Sequence, residues 1–179
     1  FLLLNANFSD LHLFKKSFML AFIYPIHGIL STPLSYFLVP FTSYLTWIGM
    51  NLLGLPVSLI KINQIILENK GILVDIGCAG TESIFFSLTT TLIFYFLFPI
   101  KSVKNIFSVF FINIFSPFLL NIVRILILGL AILKFDNINL FNFFHDSFGS
   151  LLFSLISSFF ALEVYKYFLK KDNKFLING

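Results

Sequence analysis

The chain of 179 residues is 58% hydrophobic and only 11% charged, with a mean hydropathy of +0.96. A soluble domain carries about 25% charged residues, so this chain could not cover its own surface in water. The formal net charge of +4 is modest, and no basic cluster is interleaved with aromatic residues, so we expect no nucleic-acid partner. A single cysteine excludes an internal disulfide and any CxxC site, and we expect no cofactor and no metal. The composition predicts an integral membrane protein that has the lipid bilayer as its solvent.

Five mostly apolar segments can form transmembrane or interfacial helices. In chain order they are Ser17–Leu30, Leu34–Leu53, Ser83–Ile100, Ile106–Leu133 and Ser147–Leu169. Since a span needs roughly 20 residues, we predict an all-α membrane protein, a polytopic transmembrane helix bundle of about four to five spans plus an interfacial helix. We treat residues 1–179 as a single domain. The chain begins with Phe1 rather than Met, as an excised or incomplete terminus would leave it.

The stretch Val57–Gly77 differs in kind from its apolar neighbours. Isoleucine, leucine and valine are interleaved there with charged and amide side chains, and Gly71–Ile76 follows turn-forming residues at Asn69 and Lys70. Alternation after a turn is typical of a β-strand. We therefore predict a short, β-hairpin-like segment outside the hydrocarbon, at one face of the membrane.

The placement of lysines predicts the orientation. Lys101 and Lys104 lie between the third and fourth segments. A second cluster follows the fifth segment and consists of Lys166, Lys170, Lys171 and Lys174. Two crossings separate these clusters, so both lie on one side, which the positive-inside rule makes cytoplasmic.

Lys15 and Lys16 decide between two arrangements of the first two segments. If these lysines are cytoplasmic as well, the first segment is a short span and the second an interfacial or re-entrant helix on the outer face. We favour this arrangement. In the alternative, both segments span the membrane and the two lysines lie outside.

Three chemically different side chains are expected at the outer boundary of the membrane. Cys78 directly precedes the third segment. Arg124 is about 18 residues, or about 27 Å, from the cytoplasmic start of the fourth segment, which is nearly the hydrocarbon thickness. His145 precedes the fifth segment, which descends to the terminal lysines. A nucleophile, a cation and a titratable base should therefore meet at one depth.

Cys78 has the surroundings of a reactive thiol. Its small neighbours Gly77, Ala79 and Gly80 let a peptide backbone come close. A helix N-terminus and a nearby cation both favour thiolate over thiol, which predicts a lowered pKa for Cys78 and fast alkylation from outside. Glu82 suits the first turn of the following helix as a cap, with pairing to substrate or arginine as its second role. The alternative for Cys78 is an inert, small apolar residue.

A polar stripe marks the fourth segment. Asn113, Pro117, Asn121 and Arg124 follow one another at spacings of four, four and three. Arginine at mid-membrane costs at least about 2.5–3.5 kcal/mol, so the stripe should face the bundle interior. The alternative is an Arg124 side chain that extends to the lipid head groups. His145 can both accept and donate a proton near neutral pH, unless it is an interfacial histidine without a role.

These motifs together resemble the exosortase/archaeosortase family. The similarity covers about Ile23 to Leu169, and the family often has serine where this chain has Ala79. The motifs that carry it are Cys78–Ser83, Pro117-x3-Asn121-x2-Arg124-Ile125 and His145-x3-Gly149. The family consists of polytopic membrane cysteine transpeptidases, many of which have further N-terminal spans.

The resemblance implies a catalytic set of Cys78 as nucleophile with Arg124 and His145. We take Asn121, Gly80, Glu82 and Ser83 as supporting residues. It further implies a membrane-embedded cysteine protease or transpeptidase at the outer face of the cytoplasmic membrane, acting through a thioester acyl-enzyme. The implied partners are exported proteins with a C-terminal signal made of a short motif, a transmembrane helix and a basic tail.

Two other functions stay open at this point. A non-catalytic membrane transport or assembly component would carry charges near mid-depth and paired broken helices. A Cys-dependent acyl or lipid transferase would use the same residues with a different acyl donor.

Overall fold

The computed structural model describes the backbone of residues 11–178 and the side chains of residues 25–146 and 148–173. A long first helix is followed by a small sheet, a 3-10 turn and four further helices. In chain order the elements are α1 (Leu11–Leu52), β1 (Ser58–Ile60), β2 (Gln64–Leu67), β3 (Lys70–Leu73), the 3-10 turn Ile76–Cys78, α2 (Thr81–Leu97), α3 (Val103–Gly129) with its π-helical extension Leu130–Lys134, α4 (Ile138–His145) and α5 (Ser147–Asn178).

Helices α2, α3 and α5 pack on one another with their polar faces inward. The outer face of α3 is an apolar stripe of exposed residues: Phe107, Phe111, Phe115, Leu119 and Val123. On the opposite face, Asn113, Asn121 and Arg124 are buried, as the polar stripe predicted. This distribution is the reverse of that on a soluble amphipathic helix, and it suits a lipid solvent.

Hydrogen bonds connect the buried faces of these three helices. The Ser87 hydroxyl donates to the Asn113 carbonyl at 2.8 Å, and the Asn113 amide donates to the Thr91 hydroxyl at 2.7 Å. The hydroxyls of Ser83 and Ser154 are 3.1 Å apart and join α2 to α5. Such bonds hold transmembrane helices together because lipid offers polar groups no partner.

Two of the described helices are long and apolar enough to cross a membrane, Val103–Lys134 and Phe148–Asn173. Helix α2 is also apolar but shorter. The chain is therefore a mostly helical membrane protein with a small sheet. The count of four to five spans stays a prediction.

The first two predicted segments are one continuous helix. Helix α1 passes through three prolines, Pro25, Pro33 and Pro40, without a turn. The expected break between a short span and a separate interfacial or re-entrant helix is therefore wrong, whereas the placement of the two halves relative to the membrane stays a prediction. Prolines are tolerated within transmembrane helices because neighbouring helices, hydroxyl side chains and local adjustments of the backbone can satisfy the carbonyls that they free.

The carboxyl half of α1 packs against the start of α2, the segment before it and the sheet. Ser35 is hydrogen-bonded to Thr81, the first residue of α2. Further along α1, the Thr42 hydroxyl donates to the Ala79 carbonyl at 3.4 Å, and the fully buried Met50 packs in the core beneath the sheet. This half of the helix thus supports the segment that leads into α2.

The predicted hairpin-like segment is a three-stranded antiparallel sheet in the order β1-β2-β3. The expected strand Gly71–Ile76 ends earlier, at Leu73, and begins one residue before Gly71. Ile65 and Ile72 are paired across β2 and β3, are both buried, and pack with residues of α1 and α3. The sheet therefore covers the end of the bundle.

Asp172 closes the end of the bundle that carries the lysines. Its carboxylate accepts hydrogen bonds from the backbone N–H groups of Lys101 at 2.7 Å and Ser102 at 3.1 Å, and from the Asn105 amide at 3.2 Å. These bonds join α5 to the loop between α2 and α3. The two lysine clusters consequently lie at the same end, as predicted, and the segment before α2 lies at the other end.

Candidate active site

The backbone of Cys78 is held from both sides. Asp75 caps the 3-10 turn: its carboxylate accepts from the Ile76 N–H at 2.6 Å, and its carbonyl accepts from the Cys78 N–H at 2.8 Å. The Asn121 amide donates to the Cys78 carbonyl at 2.8 Å. Asn121, a member of the polar stripe, thereby fixes the cysteine segment against α3.

Gly80 is required for this contact. Its φ of +87° lies in the left-handed region, and a Cβ there would be 2.8 Å from side-chain atoms of Asn121. By contrast, a Cβ at Gly77 would meet no atom within 4 Å. The expectation that the small residues admit a substrate backbone is therefore wrong for Gly80, because the space beside it belongs to Asn121.

Arg124 connects α3 to the end of α4. Its Nε donates to the Phe144 carbonyl at 3.0 Å and its Nη2 donates to the His145 carbonyl at 3.2 Å. The side chain is buried and faces the bundle, so the alternative of an arginine extended to the head groups does not apply. Further N–H groups of the guanidinium have no partner within the described part of the chain.

His145 is the last residue of α4 and is half-exposed. Its ring stacks on Phe141 with centroids 5.0 Å apart, and its Nδ1 lies 3.5 Å from a carboxylate oxygen of Asp146. The start of α5 passes close by, since a Cβ at Gly149 would be 2.5 Å from the Cα of Phe144. Stacking, the Asp146 carboxylate and the Arg124 bond to its carbonyl together orient the imidazole.

Cys78, Arg124 and His145 line one cavity of about 450 Å³ at the end of the bundle opposite the two lysine clusters. The same cavity is lined by Asp75, Gly77, Glu82, Phe86, Ser150, Leu151 and Ser154. The structure thus brings together the three side chains that the sequence placed at one depth. Glu82, on the first turn of α2, belongs to the lining as well.

The other supporting residues lie behind the cavity wall. Gly80 and Asn121 hold the cysteine segment, and Ser83 is directed to Ser154 on α5. Sequence reasoning missed Ser150 and Ser154 as lining residues. Their spacing of four, which places both hydroxyls on one face of α5, is the signal that could have identified them.

The pKa of the Cys78 thiol is raised, so the prediction of a lowered pKa is wrong. Burial is the largest cause, because it disfavours the charged thiolate. The positive charge of Arg124 and a backbone hydrogen bond at Asp75 act in the opposite direction but are weaker. The sulfur is therefore a thiol at neutral pH in this state.

Within residues 25–146 and 148–173, no group of three or more histidine, cysteine, aspartate or glutamate side chains is placed to hold a metal ion. The chemistry available in the cavity is that of one thiol, one imidazole, one guanidinium, two carboxylates and two serine hydroxyls.

Residues 2–162 match the family model described as Transmembrane exosortase (Exosortase_EpsH). None of the curated proteins and none of the solved structures matches the chain. The matched region includes every residue that lines the cavity.

Proposed function

Because the chain belongs to the transmembrane exosortase family, we propose that it is a membrane cysteine transpeptidase or protease that cleaves C-terminal sorting signals of exported proteins. The observation that supports this proposal most directly is the shared lining of one cavity by Cys78, Arg124 and His145. The cavity lies opposite the lysine clusters, which favours the extracytoplasmic face of the cytoplasmic membrane.

Cys78 attacks the carbonyl carbon of the scissile peptide bond. Since burial keeps the sulfur protonated, a base must accept its proton during the attack, and His145 is the titratable side chain of the cavity suited to this role. The imidazolium then donates that proton to the leaving amine, and the carbon–nitrogen bond breaks. The product is a thioester between Cys78 and the substrate, which an amine or water releases.

Arg124 acts on both partners of this reaction. Its charge stabilises the thiolate and the oxyanion that forms on the carbonyl oxygen. Its bonds to the Phe144 and His145 carbonyls fix the position from which the imidazole exchanges protons. Loss of the guanidinium should therefore affect more than one step.

The cavity accounts for a substrate with its own transmembrane helix. Its wall includes Phe86 on α2 and Leu151 on α5, and both side chains are exposed. An exposed apolar wall of this kind would allow a substrate helix to approach from within the bilayer. The substrate helix would lie against α2 and α5 with the scissile bond just above it, near Cys78.

The test is the processing of an exported host protein that ends in a short motif, a transmembrane helix and a basic tail. Cys78→Ala and the nearly isosteric Cys78→Ser should each lower the rate of processing by at least about 10³-fold. Both variants should enter the membrane and unfold at the temperature of the wild type. Unchanged processing in either variant contradicts the proposal.

A further inference from the structure

Strand β3 has a free edge beside Cys78. In the sheet order β1-β2-β3, β3 pairs with β2 on one side and with no described strand on the other. The edge of a sheet presents a row of backbone donors and acceptors that another extended chain can pair with. The residues that follow β3 lead through Asp75 directly to Cys78.

The register determines which backbone groups point away from the sheet. The Val74 N–H donates to the Asn63 carbonyl at 2.8 Å, and the next pairs toward the turn are Gln64 with Leu73 and Ile65 with Ile72. Bonded and non-bonded pairs alternate along an antiparallel ladder. Ile72 therefore bonds to β2, whereas the N–H and C=O groups of Leu73 and, by the same alternation, Gly71 point outward.

These outward groups face a second cavity of about 490 Å³. One wall is β3 and the segment through Asp75, and the opposite wall is apolar and comes from the carboxyl end of α3, its π-helical extension and α4. Cys78 and His145 line this cavity as well as the first one. At the far end, an ion pair of 2.6 Å between Lys70 and Asp136 joins the two walls.

We propose that this groove binds the acyl side of the substrate, the segment before the scissile bond, as an added strand on β3. The inference rests on the proposed function. The occupant is an extended polypeptide because unpaired N–H and C=O groups at two-residue spacing are complementary to another main chain. Its carboxyl end must reach Cys78, which follows the carboxyl end of β3, so the added strand runs parallel to β3. The apolar wall holds its side chains.

An acyl-side probe tests this arrangement. A trialanine chloromethyl ketone carries only the peptide before the reactive carbon. The Cys78 thiolate displaces chloride from it, so that a carbon–sulfur bond forms and a carbon–chlorine bond breaks. On an added strand, every second N–H group of the probe points toward β3. We expect N-methylation of those amides to slow the labelling of Cys78 by about tenfold, and N-methylation of the amides that point away from β3 to have little effect. Labelling by iodoacetamide, which has no peptide backbone, reports the reactivity of the thiol alone.

A matched pair of variants tests the protein side. Leu73→Pro removes one outward N–H without removing a bond of the β2–β3 ladder, and proline is tolerated at such edge positions. Leu73→Ala removes the exposed side chain but keeps the N–H. Leu73→Pro should slow labelling by the peptide probe about tenfold more than Leu73→Ala does, and both variants should react with iodoacetamide like the wild type.

The outcomes separate this inference from the proposed function. Equal labelling by all methylated probes, equal effects of the two Leu73 variants, or no labelling of Cys78 by any peptide overturns strand addition on β3. If Cys78→Ala still abolishes processing in that case, the proposed function stands and only the acyl-side groove is wrong.

Discussion

The two ends of the helix bundle both carry charged and titratable side chains, but these side chains differ in how far they are bonded to the protein. At the lysine end, the Asp172 carboxylate accepts three hydrogen bonds and is buried, so its charge is fully used to join α5 to the loop before α3. At the other end, Asp75, Glu82 and His145 line an open cavity. The first arrangement is typical of a structural contact, and the second leaves titratable groups accessible to a reactant.

A charged residue at a membrane boundary can therefore be structural, reactive or both. Arg124 belongs to the open end but is itself bonded to two carbonyls, so it is both a structural link and a source of charge. Substitutions at the open end should mainly lower the rate of processing. Substitutions at the lysine end should mainly lower the stability of the fold.

The largest effect in this comparison is expected for Arg124→Gln. Processing should fall by about 10²–10³-fold, the usual effect of removing an oxyanion donor. The positive charge of Arg124 lowers the pKa of Cys78, so its removal raises that pKa further and moves the pH profile of iodoacetamide labelling to higher pH. Labelling below that pKa becomes slower.

Arg124→Lys separates the charge from the fork of N–H groups. It keeps the charge near Cys78, so the pH profile of labelling should stay close to that of the wild type. The bonds to the Phe144 and His145 carbonyls are lost, and processing should still fall. An unchanged pH profile in Arg124→Gln would show that the guanidinium does not act on the sulfur.

An intermediate effect is expected for Gly80→Ala, with Gly77→Ala as its control. Alanine at position 80 must adopt a φ of +87° and displace Asn121, so unfolding should become easier by about 1–3 kcal/mol and processing should fall about tenfold. Alanine at position 77 meets open space, and stability should stay within about 0.5 kcal/mol of the wild type. Thermal unfolding in detergent and the processing assay measure both effects, and equal behaviour of the two variants would contradict the role of Gly80.

The smallest effect on processing is expected for Asp172→Ala at the lysine end. Three hydrogen bonds to the carboxylate are lost, and Tm should fall by roughly 5 °C while processing stays near the wild-type rate. Glu163→Ala on the same helix removes only an exposed pair with Lys166, so Tm should change by less than about 2 °C. A large loss of processing in Asp172→Ala at a temperature where the protein is folded would contradict a purely structural role for the lysine end.

The sequence predicted the elements whose signals are periodic or compositional. The polar stripe through Asn113, Asn121 and Arg124 predicted the inward face of α3. Polar groups turn toward the protein interior because lipid offers them no hydrogen-bond partner. Charge placement gave the common end of the two lysine clusters. Both inferences depend on the solvent more than on individual contacts.

The errors concern features that depend on contacts between distant segments. We expected a break between Leu30 and Leu34, yet α1 continues through this stretch. A hairpin-like segment with bounds for only one strand was predicted where the sheet has three, because short strands at a membrane face have little pattern of their own. The pKa of Cys78 depends on how deeply the surrounding helices bury it, which its neighbours in sequence do not reveal.

The exposure of Phe86 and Leu151 in the cavity wall has a kinetic consequence for the proposed substrate. If that substrate is anchored in the same bilayer, it searches for the cavity in two dimensions, with its helix axis already aligned. The frequency of encounters then scales with the number of anchored substrates per unit area of membrane, and dilution of the surrounding medium leaves it unchanged.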